Sequence, residues 1–166
     1  MVEMELVGVR VEMPSSSPIA LLREVGSTGR VLPIFIGAPE ATAIAFALEE
    51  VVTPRPMTHD LLQNLLDELG VSLEKVTVTE LRDGVFIAEL ELHAHDGVHT
   101  VSSRPSDAIA LALRVDAPIK GAPEVLEAAG VELPDEESEP TGETPAEDEV
   151  EEFRAFLEQV QPEDFG

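Results

Sequence analysis

Three polar motifs, each at the predicted start of a helix, carry the side chains best suited to chemistry on a phosphate. They are Glu40 after Gly-Ala-Pro, the stretch Arg55–Asp60, and the stretch Arg104–Asp107. The start of a helix offers free backbone N–H groups and partial positive charge, both of which attract anions. Arg55 or Arg104 can add a bidentate guanidinium clamp. The motifs therefore favour phosphate binding at one or more helix starts.

The same residue types also have a purely structural interpretation. Ser, Thr and Asp cap helices, and acidic residues in the first turn stabilise the helix dipole, each by about 0.5 to 2 kcal/mol. The residues concerned are Glu40, Thr58, Asp60, Ser106 and Asp107. Spacing alone does not decide between capping and catalysis.

A histidine cluster surrounds a predicted hairpin turn at Asp96-Gly97. His93 and His95 share a face if the chain is a strand, and His99 can return across the turn. One interpretation is a metal site with three imidazole nitrogens. The other is a set of solvated histidines at an exposed hairpin tip.

Composition limits the classes of function. The net charge is −24, and 14 of the 34 acidic residues follow Gly130. A broad basic surface for nucleic acid is therefore absent, so any phosphate contact depends on a few arginines. The chain has no cysteine and no apolar run of roughly 18 residues, which predicts a cytoplasmic protein without a membrane span.

The apolar pattern predicts one structural unit used twice. Alternation predicts strands over about 1–13, 19–25 and 30–36, followed by a helix over 39–50. A second set of strands covers 73–81, 85–93 and 98–101, and a helix starts at Pro105. The phrases Ala43–Leu48 and Ala108–Leu113 repeat within these two helices. If the two halves pair, the starts of both helices are expected to face a common cleft.

Three further pieces complete the predicted domain. Thr58 is expected to cap a helix that carries leucines at helical spacing and ends at Gly70. A short extended piece over 118–120 and a brief helix over 123–129 follow the second unit. The predicted class is α+β, with a mixed, mostly antiparallel sheet built from two βββα-like halves and helices packed on it.

The chain divides into three predicted regions. Residues 1–133 form the domain, residues 134–148 an acidic disordered linker, and residues 149–166 a short amphipathic helix. The apolar face of that helix consists of Val150, Phe153, Phe156, Leu157 and Val160. Such a face needs a surface, which is this domain, its oligomer or a protein partner.

Three motifs in order give a family resemblance. They are Pro33–Gly37 with Glu40-Ala41, Arg55–Leu62, and Arg104–Ala112. Together they resemble the bifunctional nuclease domain family over nearly all of residues 1–130. The resemblance implies nuclease activity on DNA and RNA and a domain that associates into homo-oligomers.

The resemblance turns the polar motifs into a hypothesis of metal-assisted phosphodiester hydrolysis. Glu40, Asp60 and Asp107 become candidate metal ligands or general bases, with Mg²⁺ or Mn²⁺ as the metal. His59 becomes a general acid or an orienting residue. Many members carry an acidic residue two places before the Arg-Pro-Ser-Asp motif, where this chain has Ser102.

Nucleic acid is the partner that the resemblance implies, bound weakly because the chain is acidic. Arg55, Arg104 and Ser106 are the candidate phosphate-binding residues. The alternative is a non-catalytic interaction or regulatory module of the same fold, in which these residues stabilise helix starts and a subunit interface.

Overall fold

The computed structural model describes residues 1–12, 16–26 and 30–132. Within them the chain forms eight strands and four helices. In chain order these are β1 Val2–Glu12, β2 Ser17–Glu24, β3 Arg30–Phe35, α1 Ala38–Leu48, α2 Thr58–Glu68, β4 Ser72–Arg82, β5 Val85–Ala94, β6 Gly97–Ser103, α3 Pro105–Val115, β7 Ile119–Gly121, α4 Pro123–Ala129 and β8 Val131–Glu132.

All the strands join one sheet in the order β6-β5-β4-β7-β1-β2-β3-β8. Consecutive strands β1, β2 and β3 pair antiparallel, as do β4, β5 and β6. The short strand β7 lies between the two meanders, antiparallel to β1 and parallel to β4. The predicted α+β class with two βββα halves and a mixed, mostly antiparallel sheet is therefore confirmed.

The repeated Ala-rich phrases lie in α1 and α3, which pack against each other. Pro39 is the second residue of α1 and Pro105 the first of α3, positions where a missing N–H costs nothing. Many of the buried residues in both helices are alanines, whose small side chains favour close packing of two helices. They are Ala41, Ala43, Ala45, Ala108, Ala110 and Ala112.

Helix α2 follows a different pattern. Its N-cap is Met57, so the prediction that Thr58 caps this helix is wrong: Thr58 is already the first helical residue. The cap contact comes instead from Asp60, whose Oδ2 accepts a hydrogen bond of 2.9 Å from the Met57 N–H. This is the carboxylate half of a capping box. Gly70, with a φ of 66°, ends the helix as predicted.

The remaining differences concern strand ends. Strand β6 is longer than the predicted stretch 98–101, and β8 was not predicted at all. The predicted linker 134–148 and helix 149–166 lie outside the described residues. Self-association and a cytoplasmic location stay predictions. In the part of the chain that the structure describes, none of the helices has the length and apolar character that crossing a membrane requires.

Candidate active site

A cleft of about 520 Å³ opens where the starts of α1 and α3 meet the segment that leads into α2. Residues from all three predicted motifs reach it. Its lining consists of Pro39, Glu40, Ala43, Pro56, Met57, Thr58, His59, Arg104 and Asp107. The two halves of the repeat thus face a common cleft, as the matching helix starts predict.

Glu40 and Asp107 hold equivalent positions in the two halves. Each is the third helical residue after its N-cap, which is Gly37 in α1 and Arg104 in α3. A carboxylate there lies beside the free N–H groups and the positive end of the helix dipole. Each half of the repeat therefore places in the cleft one carboxylate whose negative charge is stabilised by a helix start.

The guanidinium of Arg104 joins these two carboxylates. Its Nη2 lies 2.8 Å from Oε1 of Glu40 and 3.1 Å from Oδ1 of Asp107, while its Nε donates to Oδ2 of Asp107 at 2.6 Å. The hydrogen bond to Asp107, supported by Glu40, raises the pKa of Arg104 above its usual value. The side chain of Arg104 is 65% exposed and that of Glu40 only 15%. The cation therefore forms the outer edge of the cleft.

His59 contacts the same carboxylate from α2. Its Nε2 lies 3.0 Å from Oδ1 of Asp107, and the residue is buried. Burial alone would raise the pKa of Asp107, but hydrogen bonds from Arg104 and His59 outweigh burial and lower it. Asp107 is thus ionised at neutral pH and fixes the orientation of the imidazole.

Asp60 does not line this cleft. Its Oδ1 accepts a hydrogen bond of 2.6 Å from Nε of Arg114, a residue of α3 whose side chain is 7% exposed. Burial acts to raise the pKa of Asp60, but hydrogen bonds from Arg114 and from the Met57 N–H lower it. The structure therefore separates Asp60 from Glu40 and Asp107, the other predicted metal ligands.

Arg114 is a residue that the sequence motifs did not single out. Its Nη1 also donates to the carbonyl oxygens of Ala43, at 3.0 Å, and Ala110, at 2.8 Å. One buried side chain thus contacts α1, α2 and α3. The available signal was helical spacing: Arg114 lies four residues after Ala110, on a face that is otherwise buried.

Two further motif residues, Arg55 and Ser106, do not line the cleft, and neither does Ser102. Arg55 is exposed in the segment between α1 and α2, and its guanidinium makes no ion pair with any described residue. Ser106 is buried and lines a second cleft on the other side of Arg104. Ser102 is exposed on β6, opposite Glu89 of β5. Of the predicted site residues, the cleft brings together Glu40, His59, Arg104 and Asp107.

Of the two interpretations of the histidine cluster, the structure contradicts the three-histidine metal site. The hairpin turn lies at His95-Asp96 and not at Asp96-Gly97, so His95 does not share a strand face with His93. His93 pairs with Val98 and His99 with Leu92 across the β5–β6 hairpin, so His93 and His99 point to opposite faces. His99 instead contacts Oδ1 of Asp96 at 2.9 Å. Nowhere in residues 1–12, 16–26 and 30–132 do three or more His, Asp or Glu side chains form a group that can hold a metal.

Fold and cleft together define an α+β domain in which two repeated halves assemble a carboxylate, imidazole and guanidinium site. Residues 20–134 match the model of the bifunctional nuclease domain, and the chain belongs to this family. The match includes all four helices and every residue that lines the cleft.

Similar proteins fall into two groups. An uncharacterized protein of Mycobacterium tuberculosis is 47% identical over 163 residues, which is 98% of this chain and 97% of the relative. Bifunctional nuclease 2 of Arabidopsis thaliana is 34% identical over 107 residues, 63% of this chain and 32% of the plant protein. Bifunctional nuclease 2 of Oryza sativa subsp. japonica is 27% identical, and the aligned part covers 68% of this chain and 36% of the rice protein. The resemblance to the plant proteins is thus limited to about a third of their length.

Proposed function

We propose that this protein is a metal-assisted phosphodiesterase that cleaves DNA and RNA. The observation that carries the proposal is the convergence of Glu40, His59, Arg104 and Asp107 on one cleft in a bifunctional nuclease domain. Such a reaction requires carboxylates that bind a metal, a group that transfers a proton and a cation that binds phosphate.

The two carboxylates suit a divalent ion such as Mg²⁺ or Mn²⁺. Glu40 Oε1 and Asp107 Oδ1 both lie within 3.1 Å of one nitrogen, Nη2 of Arg104, so they already converge on a single cation. Mg²⁺ usually takes one or two protein carboxylates and completes its octahedron with waters and substrate phosphate oxygens. A bound ion would supply Lewis-acid polarisation of the phosphoryl group and a more acidic water.

The other side chains receive complementary roles. Arg104 is the exposed member of the cluster, so its guanidinium can turn from the carboxylates to a substrate phosphate and bind it in a bidentate manner. His59 uses Nε2 to contact Asp107, which leaves Nδ1 as the nitrogen that exchanges a proton. Asp60 is a positioning residue, since its bond to Arg114 fixes the helix that carries His59.

Cleavage of single-stranded DNA and RNA by the purified full chain tests the proposal. We expect product with Mg²⁺ or Mn²⁺ and none with excess chelator, with activity restored when metal is added back. Cleavage that persists in chelator would contradict the metal requirement. No cleavage of either substrate under any metal would favour the alternative, a non-catalytic interaction module whose carboxylates serve helix starts.

Gly37→Ala is expected to impair cleavage without unfolding the protein. The Glu40 carboxylate folds back over Gly37, and a Cβ at position 37 would overlap Oε2 of Glu40. Gly37 has φ −78° and ψ 157°, which alanine adopts without strain, so the flexible carboxylate moves and the backbone does not. We expect kcat/KM to fall by about tenfold or more, since misplaced catalytic groups cost this much.

Measuring thermal unfolding together with cleavage separates a loss of activity in Gly37→Ala from a loss of stability. The control is Gly121→Ala in β7, which does not line the cleft and whose new Cβ would meet its nearest neighbours at an ordinary 3.5 Å. Full activity of Gly37→Ala at an unchanged Tm would show that the position of the Glu40 carboxylate does not matter for cleavage.

A further inference from the structure

A second cleft of about 410 Å³ lies on the other side of Arg104. It forms where the end of β3 and the start of α1 approach the β4–β5 turn and the start of α3. Its lining residues are Ser17, Ile34, Phe35, Ile36, Gly37, Gly84, Val85, Phe86, Arg104, Pro105 and Ser106. The cleft therefore also combines both halves of the repeat.

Large apolar side chains face solvent at this cleft. Phe35 is 61% exposed and Val85 is 63% exposed, and Phe86 lines the same space. Of the three phenylalanines in the described part of the chain, two thus lie here, while Phe46 is buried in α1. Exposed aromatic and aliphatic side chains that share one concavity indicate a surface that binds an apolar or planar group.

Arg104 lines both clefts and therefore links them. A charged group thus lies next to an apolar concavity. A nucleotide has matching parts, because one sugar joins its charged phosphate to a planar base with apolar faces. A phosphate held by Arg104 in the catalytic cleft would allow the attached base to enter the cleft that Phe35 lines. Aromatic side chains bind the bases of single strands by stacking, without preference for sequence.

We propose that the cleft lined by Phe35, Val85 and Phe86 stacks one unpaired base beside the phosphate to be cleaved, so that the enzyme selects single-stranded DNA and RNA. The inference rests on the proposed function. Bases in a duplex are paired and stacked, so they enter such a cleft only after unpairing. Stacking also adds affinity in an acidic protein whose phosphate contacts are limited to a few arginines, so binding should depend only weakly on salt.

The test measures binding separately from cleavage. A short single strand that contains the fluorescent base 2-aminopurine is titrated with the full chain in chelator, where the proposed metal reaction does not occur. Wild type should quench the fluorescence, and Phe35→Ala should weaken binding by about tenfold, the loss typical when an aromatic stacking partner is removed. Phe35→Trp should keep the affinity. The control Leu69→Ala removes an exposed leucine from the end of α2, outside the cleft, and should change nothing.

Kinetics with Mg²⁺ or Mn²⁺ supply the second readout. Phe35→Ala should raise KM for a single strand by about tenfold with little change in kcat, because the base contact is present before and during the reaction. Val85→Ala gives a second, smaller truncation in the same cleft, and Tm confirms that each variant is folded.

The outcomes separate this inference from the proposed function. If binding depends on Phe35 but wild type cleaves no substrate, the stacking cleft is supported and the proposed phosphodiesterase activity is overturned. Cleavage and binding that are the same in Phe35→Ala and wild type would overturn the stacking cleft and leave the phosphodiesterase intact. Failure of wild type to bind any single strand, or equal affinity for duplex, would also overturn the stacking cleft.

Discussion

Asp107→Asn is expected to lower the rate of cleavage by about a thousandfold or more and to cost only about 1 to 2 kcal/mol of stability. The carboxylate accepts bonds from Arg104 and His59 and is one of the two proposed metal ligands. A neutral amide is a poor ligand for Mg²⁺ or Mn²⁺, and the lost electrostatic stabilisation of several kcal/mol acts on the barrier. The folded state loses only the negative charge beside the helix dipole and the charge-assisted part of the hydrogen bonds from Arg104 and His59, because an amide oxygen still accepts.

The comparison of rate with thermal midpoint distinguishes catalysis from capping. Asp67→Asn is the matched control, because it makes the same chemical change at an exposed carboxylate of α2 that does not line the cleft. Arg104→Lys should also lose activity, because the ammonium group of lysine does not make the two parallel hydrogen bonds that a planar guanidinium makes to a phosphate. Wild-type rates in both Asp107→Asn and Arg104→Lys would remove this cleft from the mechanism.

The features that sequence predicted well depend on local signals. Alternation, turn dipeptides and proline positions gave the two meanders and the starts of α1 and α3, because each of these is determined by a few adjacent residues. The repeat then placed Glu40 and Asp107 at equivalent positions, so a common cleft followed from the pairing of two similar units. Strand β8 has only two residues and left no such signal.

The features that sequence missed depend on contacts between distant residues. Asp60 and His59 are neighbours in the chain, yet one bonds Arg114 of α3 and the other bonds Asp107. Successive helical residues point about 100° apart, so adjacent residues need not reach the same cleft. Likewise, the register of the β5–β6 hairpin decides which face His99 occupies, and spacing across a turn does not fix that register.

Arg114→Met is expected to lower the free energy of unfolding by about 3 kcal/mol, since it leaves Asp60 without its buried partner and removes both bonds to backbone carbonyls. Methionine fills similar space, so lost polar contacts dominate over packing. The control is Arg23→Met, which breaks an ion pair with Glu5 on the exposed face of the sheet and should cost under about 1 kcal/mol. Urea unfolding of both variants beside wild type gives the two values.

The loss in Arg114→Met should also depend on pH. Because Arg114 helps to hold the pKa of Asp60 below its ordinary 3.8, the ionised pair stabilises the fold fully above that pH. This contribution disappears as the pH falls through the lowered pKa, where Asp60 becomes protonated in the folded state. The stability difference between wild type and Arg114→Met should therefore shrink below about pH 4, and that for Arg23→Met should stay small throughout. A difference that is small at neutral pH, or that does not change with acid, would show that Arg114 and Asp60 do not hold the three helices together.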